Sequence, residues 1–155
     1  MNALRAPAGA SRKSKTLATW LAFALGSLGV HRFYLYGRRD LWAWLHPWPT
    51  LAGVYGLWRL QQFGTDDRLA WALVPLLGFV LAGTMLMAIV YGLAPDERWD
   101  ARHNAGRPGP ASGWPVIVGV ILALLVGATA LMASIAFTGD RYFESQIEAA
   151  HEISQ

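Results

Sequence analysis

Residues 26–37 of the chain read Gly-Ser-Leu-Gly-Val-His-Arg-Phe-Tyr-Leu-Tyr-Gly. An apolar segment, residues 16–30, leads into this basic and aromatic stretch, and a second apolar region follows residue 40. Charged groups are costly inside a bilayer, so a His-Arg pair between two apolar segments is typical of a turn at the membrane surface. The stretch therefore predicts the tip of a hairpin of two transmembrane helices.

Two further segments have the composition of membrane spans. Only 15% of the residues are charged, against roughly 25% in soluble domains. Residues 69–94 and 114–138 contain no Asp, Glu, Lys, Arg or His, and each run exceeds the ~20 residues that a helix needs to cross a bilayer. These features predict an all-α integral membrane protein with four transmembrane helices arranged as two hairpins.

The order of polar and apolar segments predicts the boundaries. We expect a disordered basic tail over residues 1–15, the first hairpin over residues 16–63, a second hairpin over residues 64–138 with a polar loop at 94–113, and a polar tail over residues 139–155. Gly139 is expected to end the fourth span. Because Phe143, Ile147 and Ala150 share one helical face, the tail is predicted to form a marginal amphipathic helix. The basic start also resembles a signal peptide, but no Ala-x-Ala-like site follows, so we expect no cleavage.

The two prolines of the first hairpin, Pro47 and Pro49, remove backbone donors and should interrupt a helix. They follow a Trp-rich stretch that is typical of a membrane interface. We therefore expect a short interfacial helix near residues 41–46 and a second span over residues 49–63. A single kinked helix over residues 41–60 is the alternative.

Residues 26–37 and their flanking segments resemble the TM2 family. Members of this family form a small hairpin of two transmembrane helices joined by a His-Arg-Phe-Tyr-Leu-Gly-type turn. The resemblance covers about residues 13–62, and its loop motif consists of Gly26, Gly29, His31, Arg32, Phe33, Tyr34, Leu35 and Gly37. The family is defined by its architecture, so the resemblance implies a hairpin and no particular activity. This chain departs from the family pattern at Tyr36, which intervenes before Gly37, and at Gln62, where the family tends to carry an Asp.

Small residues recur every four positions on two of the predicted spans. Gly119, Ala123 and Gly127 form the clearer of the two ladders, and Ala18, Ala22 and Gly26 form the other. Small residues at this spacing allow two helix backbones to approach closely. We expect the first ladder to face another helix of the same chain, the third span in particular.

The sequence indicates no catalytic, cofactor-binding or metal site. There is no cysteine, the four histidines have no paired spacing, and no nucleophile elbow or phosphate-binding glycine loop is present. His46 is the one ionisable group expected within the membrane region, where it could relay protons. We prefer a role in satisfying backbone groups freed by the prolines. For Arg59 we expect snorkelling or stacking on an aromatic ring instead of substrate binding.

These observations favour a small membrane interaction or scaffold protein, not an enzyme, that binds other helices or itself through its small-residue faces. A subunit of an oligomeric pore or transporter that uses the His31-Arg32 turn or His46 is the alternative. The expected partners are the lipid bilayer and other membrane proteins or a second copy, and no nucleic acid. The expected location is the cell membrane as a multi-pass protein, which is the inner membrane in a Gram-negative bacterium.

Two expectations concern the ends of the spans. With four spans, seven basic residues fall on the N-terminal side and six on the other, and the cluster before the first helix favours both termini in the cytoplasm. The motif itself is expected to act as a structural latch. In this hypothesis Phe33 and Tyr34 anchor at the interface, while His31 and Arg32 reach the free carbonyls that end the first helix, or Arg32 reaches lipid headgroups.

Overall fold

The computed structural model of the chain describes residues 12–154, which form helices and turns without a strand. The all-helical class is therefore confirmed. The helices are α1 (Lys15–Leu25), a 3-10 turn (Gly26–Leu28), α2 (Val30–Tyr36), α3 (Leu41–Leu45), α4 (Pro47–Phe63), α5 (Arg68–Leu93), α6 (Asp96–His103) and α7 (Trp114–Ile153).

Within residues 12–154 two helices, not the predicted four, are long and apolar enough to cross a membrane by themselves. They are α5, with a mean hydropathy of 2.4 in its most apolar window, and α7, with 2.7. Only 22% and 17% of these windows are buried within the protein. A core helix of a soluble protein would be mostly covered, so the exposed apolar surface of α5 and α7 is typical of helices that contact lipid.

The α5–α7 pair forms the centre of the fold, and the two helices run antiparallel. An added Cβ atom on Gly127 of α7 would lie 2.7 Å from the Cβ atom of Met85. Ala123, one turn earlier, is fully buried in a cluster with Met85, Ala88 and Ala22. Gly119 lies beside α1 instead, where its added Cβ atom would be 3.2 Å from the Thr19 methyl carbon. The small-residue ladder of α7 therefore packs against α5 and α1 of its own chain.

Helices α3 and α4 run in one direction along α5, from its end toward its start. Trp42 of α3 and Met87 of α5 line one groove near the end of α5. Farther along the path, an added Cβ atom on Gly53 of α4 would lie 2.8 Å from the Leu77 Cα atom of α5. His46, the one residue between the two helices, keeps helical backbone angles. The structure therefore contains both a short helix at residues 41–45 and a nearly continuous kinked path to Phe63.

Helices α1 and α2 do not form the first half of a membrane-crossing hairpin. α1 has 11 residues and is about 16 Å long, which is half of the ~30 Å hydrocarbon thickness. It begins where Lys15 meets the carbonyl of Ala94, just past the end of α5, and it ends with Gly26 beside Thr84. α2 then returns to the starting end, where Leu35 packs on Ala18. The segment is a re-entrant pair, because its two helices enter and leave at the same end of the bundle.

This path overturns the expected topology. Residues 12–15 lie at the end of the bundle that also holds residues 33–40 and α6, whereas the 64–67 turn and the last part of α7 lie at the opposite end. The described N-terminal and C-terminal segments are therefore at opposite ends of the bundle, whereas both were expected on one side. The physical reason is that the α3–α4 path, α5 and α7 each run along the bundle, and three such traversals bring the chain to the end opposite its start.

The connection between α5 and α7 falls at residues 94–113 as expected, but two details differ. The polar loop at residues 94–113 contains α6, which buries Trp99 in the bundle. Gly139 does not end the fourth span, because α7 continues without a break to Ile153. The C-terminal tail is thus helical, but it extends α7 instead of forming a separate helix. Residues 1–11 of the predicted disordered tail lie outside the described residues.

Candidate functional site: the basic end of the bundle

The end of the bundle that holds α6 is held together by polar contacts with residues 12–15. The Lys13 backbone N–H donates to the Asn104 side-chain oxygen at 2.7 Å. The Lys13 carbonyl accepts from the indole N–H of Trp99 at 2.9 Å and from the Asn104 amide at 3.2 Å. Trp99 and Asn104 are both buried. The chain before α1 is therefore tied to α6, and we call these contacts the N-terminal clamp.

Lys15 extends the clamp from the first residue of α1. Its ammonium group donates to the Ala94 carbonyl at 2.8 Å and lies 2.6 Å from a carboxylate oxygen of Asp96. Hydrogen bonds from Lys15 and Ser112 lower the pKa of Asp96. Because the side chain of Lys15 is buried while that of Asp96 is half exposed, the pair neutralises the lysine where α1 joins the end of α5.

The two glycines of the motif make the re-entrant turn possible. Gly29 has φ +76°, a conformation that L residues adopt only with strain, and an added Cβ atom would lie 2.5 Å from the Ala43 carbonyl oxygen. Gly26 packs closely against α5, because an added Cβ atom on Gly26 would lie 2.8 Å from the Cβ atom of Thr84. The Thr50 hydroxyl donates to the Ser27 carbonyl at 2.6 Å. The turn is thus fixed to α3, α4 and α5.

Within residues 12–154, Arg32 donates no hydrogen bond to the carbonyls that end α1. Its Nε donates to the Asp40 carboxylate at 2.8 Å, and its guanidinium lies 5.1 Å from the centre of the Tyr36 ring. The hydrogen bond from Arg32 lowers the pKa of Asp40. Asp40 also caps α3 by accepting from the Trp42 N–H. The ion pair therefore closes the 37–40 connection, and the sequence analysis missed the role of Asp40.

The motif aromatics contact the protein itself. Phe33 packs edge-on against Trp44, with ring centres 5.1 Å apart. The hydroxyl of Tyr34 accepts from the Ser14 N–H at 2.7 Å, and the Tyr34 carbonyl accepts from the Lys13 ammonium at 2.5 Å. Gly37 ends α2 with φ +83°, and its N–H donates to the Phe33 carbonyl. The contacts that hold the motif are therefore made with the N-terminal clamp and with α3, and not with the end of α1 as the latch hypothesis expected.

His31 of the motif lies beside His46. Their ring centres are 5.7 Å apart, and the Tyr91 ring lies 5.9 Å from that of His31. His31 is 1% exposed, and within residues 12–154 its Nδ1 atom has no hydrogen-bond partner. His46 Nδ1 lies 2.7 Å from the carbonyl of Trp42, which is one turn earlier in the chain. No pattern in the sequence indicates that two histidines fifteen positions apart would meet.

A cleft of about 600 Å³ opens between α2, the last turns of α5 and α6. Three arginines line the cleft, and we call them its rim: Arg32, Arg98 and Arg102. Its apolar wall includes Met87, Val90 and Leu93 of α5. The aromatic side chains that line the cleft are Tyr36, Tyr91, Trp99 and His103. Burial and the nearby charge of Arg102 lower the pKa of His103. The cleft therefore combines fixed positive charge with an apolar wall.

Residues 11–63 match the TM2 domain family. The match covers about a third of the chain and includes the re-entrant pair, α3 and α4. Comparison with curated proteins and with solved structures found no match. Together with the exposed apolar surface of α5 and α7, the TM2 match indicates a membrane protein. Tyr36, which departs from the family pattern, lines the cleft, and Gln62, the other departure, is exposed at the far end of α4.

Proposed function

We propose that the protein is a multi-pass membrane protein of the cell membrane that acts as an interaction or scaffold protein. In this proposal the bundle is an anchor, and the last part of α7 is the segment that other proteins bind. Neither catalysis nor a cofactor is part of the proposal.

The observation that carries the proposal is the length of α7. With 40 residues it extends about 60 Å, whereas α5, with 26 residues, extends about 39 Å. The guanidinium of Arg141 still lies 5.8 Å from the ring centre of Trp71 in the first turn of α5. Beyond Arg141, about three turns of α7 project past the bundle.

The projecting part of α7 has an exposed apolar stripe. Phe143 is 67% exposed and Ile147 is 60% exposed. Ala150 continues the same face, and Glu148 lies on another. An amphipathic helix that presents apolar residues at i and i+4 is a common element of helix-in-groove recognition. The small-residue ladders, by contrast, are occupied within the chain, so they do not support binding to other proteins.

The orientation follows from the distribution of basic residues between the two ends of the bundle. Nine described Lys and Arg residues lie at the α6 end and three lie at the other end. The nine are Arg12, Lys13, Lys15, Arg32, Arg38, Arg39, Arg98, Arg102 and Arg107, and the three are Arg59, Arg68 and Arg141. Basic residues near spans favour the cytoplasm. The α6 end is therefore proposed to be cytoplasmic, and the projecting helix to lie outside it.

The spans favour a scaffold over a pore subunit. Conduction needs polar groups that face a lumen. The Thr129 and Ser134 hydroxyls of α7 donate at 2.8 Å to carbonyls of their own helix, and Thr84 of α5 does the same at 2.9 Å. Hydroxyls that are satisfied in this way leave α5 and α7 without a polar stripe.

The test is affinity purification of the full chain in mild detergent, after a carbonate wash has established that it is an integral membrane protein. We expect Phe143→Ser/Ile147→Ser to lose the proteins that co-purify with the wild type. The matched control is Glu148→Ser, which changes another face of the same helix and should retain them. Retention of every partner by the stripe variant would contradict the proposal.

A further inference from the structure

We propose that the cleft between α2, α5 and α6 binds one anionic glycerophospholipid from the leaflet at the basic end. The phosphate would lie among Arg32, Arg98 and Arg102, and the acyl chains would lie along the apolar wall of α5. The inference rests on the proposed membrane insertion, but it concerns the end of the bundle opposite the projecting helix.

The acidic and basic side chains of α6 lie on different sides of the helix. Asp96 and Asp100 are one turn apart and face the clamp, where Asp96 accepts from Ser112 and Asp100 accepts from Asn104. Arg98 and Arg102, also one turn apart, line the cleft on the other side. The N-terminal clamp thus uses two carboxylates of α6 and leaves the arginines facing the cleft.

Among the described side chains, Arg98 and Arg102 of α6 form no ion pair with a carboxylate. Within residues 12–154 no acidic oxygen lies within 4 Å of Arg98 or Arg102. None of the described residues that line the cleft is acidic, and the exposed Glu97 lies outside it. Arg32 shares its Nε with Asp40, which leaves further guanidinium donors for a second anion. A phosphate diester fits such a rim because guanidinium groups bind phosphate through charge-assisted hydrogen bonds.

The level of the cleft along α5 favours a lipid over a soluble phosphate. The arginines stand just past the end of α5, at the level where its apolar surface stops. Below them, Val90 is 51% exposed and Leu93 is 68% exposed. A glycerophospholipid has the same sequence of groups, because its phosphate lies at the interface and its chains run into the hydrocarbon layer. Exposed aromatic rings such as that of Tyr36 prefer this depth.

The test is native mass spectrometry of the full chain in detergent with dioleoyl phosphatidylglycerol or dioleoyl phosphatidylcholine. We expect one retained phosphatidylglycerol with an affinity about tenfold above that for phosphatidylcholine, since anionic lipids are attracted to clustered arginines. Arg98→Gln/Arg102→Gln should lower the phosphatidylglycerol affinity to the phosphatidylcholine level. Arg38→Gln/Arg39→Gln removes two exposed basic residues at the same end but outside the cleft, and it should keep the preference.

Four results would overturn the inference. The wild type could show no preference for phosphatidylglycerol, and this result does not depend on the folding of any variant. Both double variants could lose the preference equally, which would indicate diffuse attraction. Glycerol 1-phosphate could displace the lipid at equal concentration, which would indicate a site for soluble phosphates. Arg98→Gln/Arg102→Gln could keep its preference and its melting temperature, which would place the lipid elsewhere. Loss of partners in Phe143→Ser/Ile147→Ser is read separately, so failure of the scaffold proposal and failure of the lipid site remain distinguishable.

Discussion

Replacing Gly53 by alanine tests how closely α4 approaches α5. The added Cβ atom would lie 2.5 Å from the Leu77 Cβ atom and 2.8 Å from its Cα and N atoms. Carbon atoms in contact prefer about 3.5–4.0 Å, so the two helices must separate by roughly 1 Å at this crossing. The backbone of Leu77 cannot move by changing a rotamer. We therefore expect the overpacking to cost about 1–3 kcal/mol in the free energy of unfolding.

Gly83→Ala is the matched control for this measurement. Gly83 lies within α5 and has nothing within 4 Å of an added Cβ atom, so it gains only the higher helix propensity of alanine, up to about 1 kcal/mol. Both variants share that gain, so a difference of about 2 kcal/mol between them corresponds to about 4–8 °C in melting temperature. Circular dichroism in detergent gives both values. If Gly53→Ala melts at the same temperature as Gly83→Ala, the reasoning about the α4–α5 contact is refuted.

Three further predictions concern the α5–α7 contact and the basic end. Gly127→Ile should lower the melting temperature more than Gly83→Ala does, because even its Cβ atom would lie 2.7 Å from a side chain of α5, and an unchanged value would contradict the packing. Because Arg32 lowers the pKa of Asp40 from its ordinary value of 3.8, Asp40→Asn should be less stable than the wild type at neutral pH, and the difference should shrink as the pH falls below that value; a difference that stays constant from pH 6 to pH 2 would show that the ion pair is not its cause. Asn104→Ala removes the acceptor of the Lys13 N–H and should speed tryptic cleavage after Lys13, whereas cleavage at the wild-type rate would show that the clamp does not hold the N-terminal segment.

Much of the fold can be predicted from residue patterns that act locally. The absence of charge over residues 69–94 and 114–138 identifies α5 and α7, because a long uncharged run has few alternatives to a buried or lipid-facing helix. The prolines at 47 and 49 correctly place the break between α3 and α4. The small residues of α7 mark the side that packs against α5 and α1, since close approach requires them.

The re-entrant pair could not be predicted in this way, because its path depends on contacts that are distant in the sequence. α1 is apolar and follows basic residues, so it has the pattern of a span that is merely short. What sends α2 back is the positive φ of Gly29 together with the clamp, in which Lys13 meets Trp99 and Asn104. The partner residues lie in the 94–113 segment, which has the composition of a linker. The cleft depends on the same contacts, and so it was also missed.

The side of the membrane on which each end lies is the most direct test of the re-entrant path. Because the chain has no cysteine, single-cysteine variants at exposed positions can be labelled with an impermeant reagent in intact cells: Arg12→Cys, Gln62→Cys, Ala101→Cys and Gln146→Cys. We predict that Arg12→Cys and Ala101→Cys stay unlabelled until the cells are opened, while Gln62→Cys and Gln146→Cys are labelled at once. If the cysteine at position 12 shares its labelling with those at positions 62 and 146, α1 crosses the membrane and the re-entrant path is contradicted.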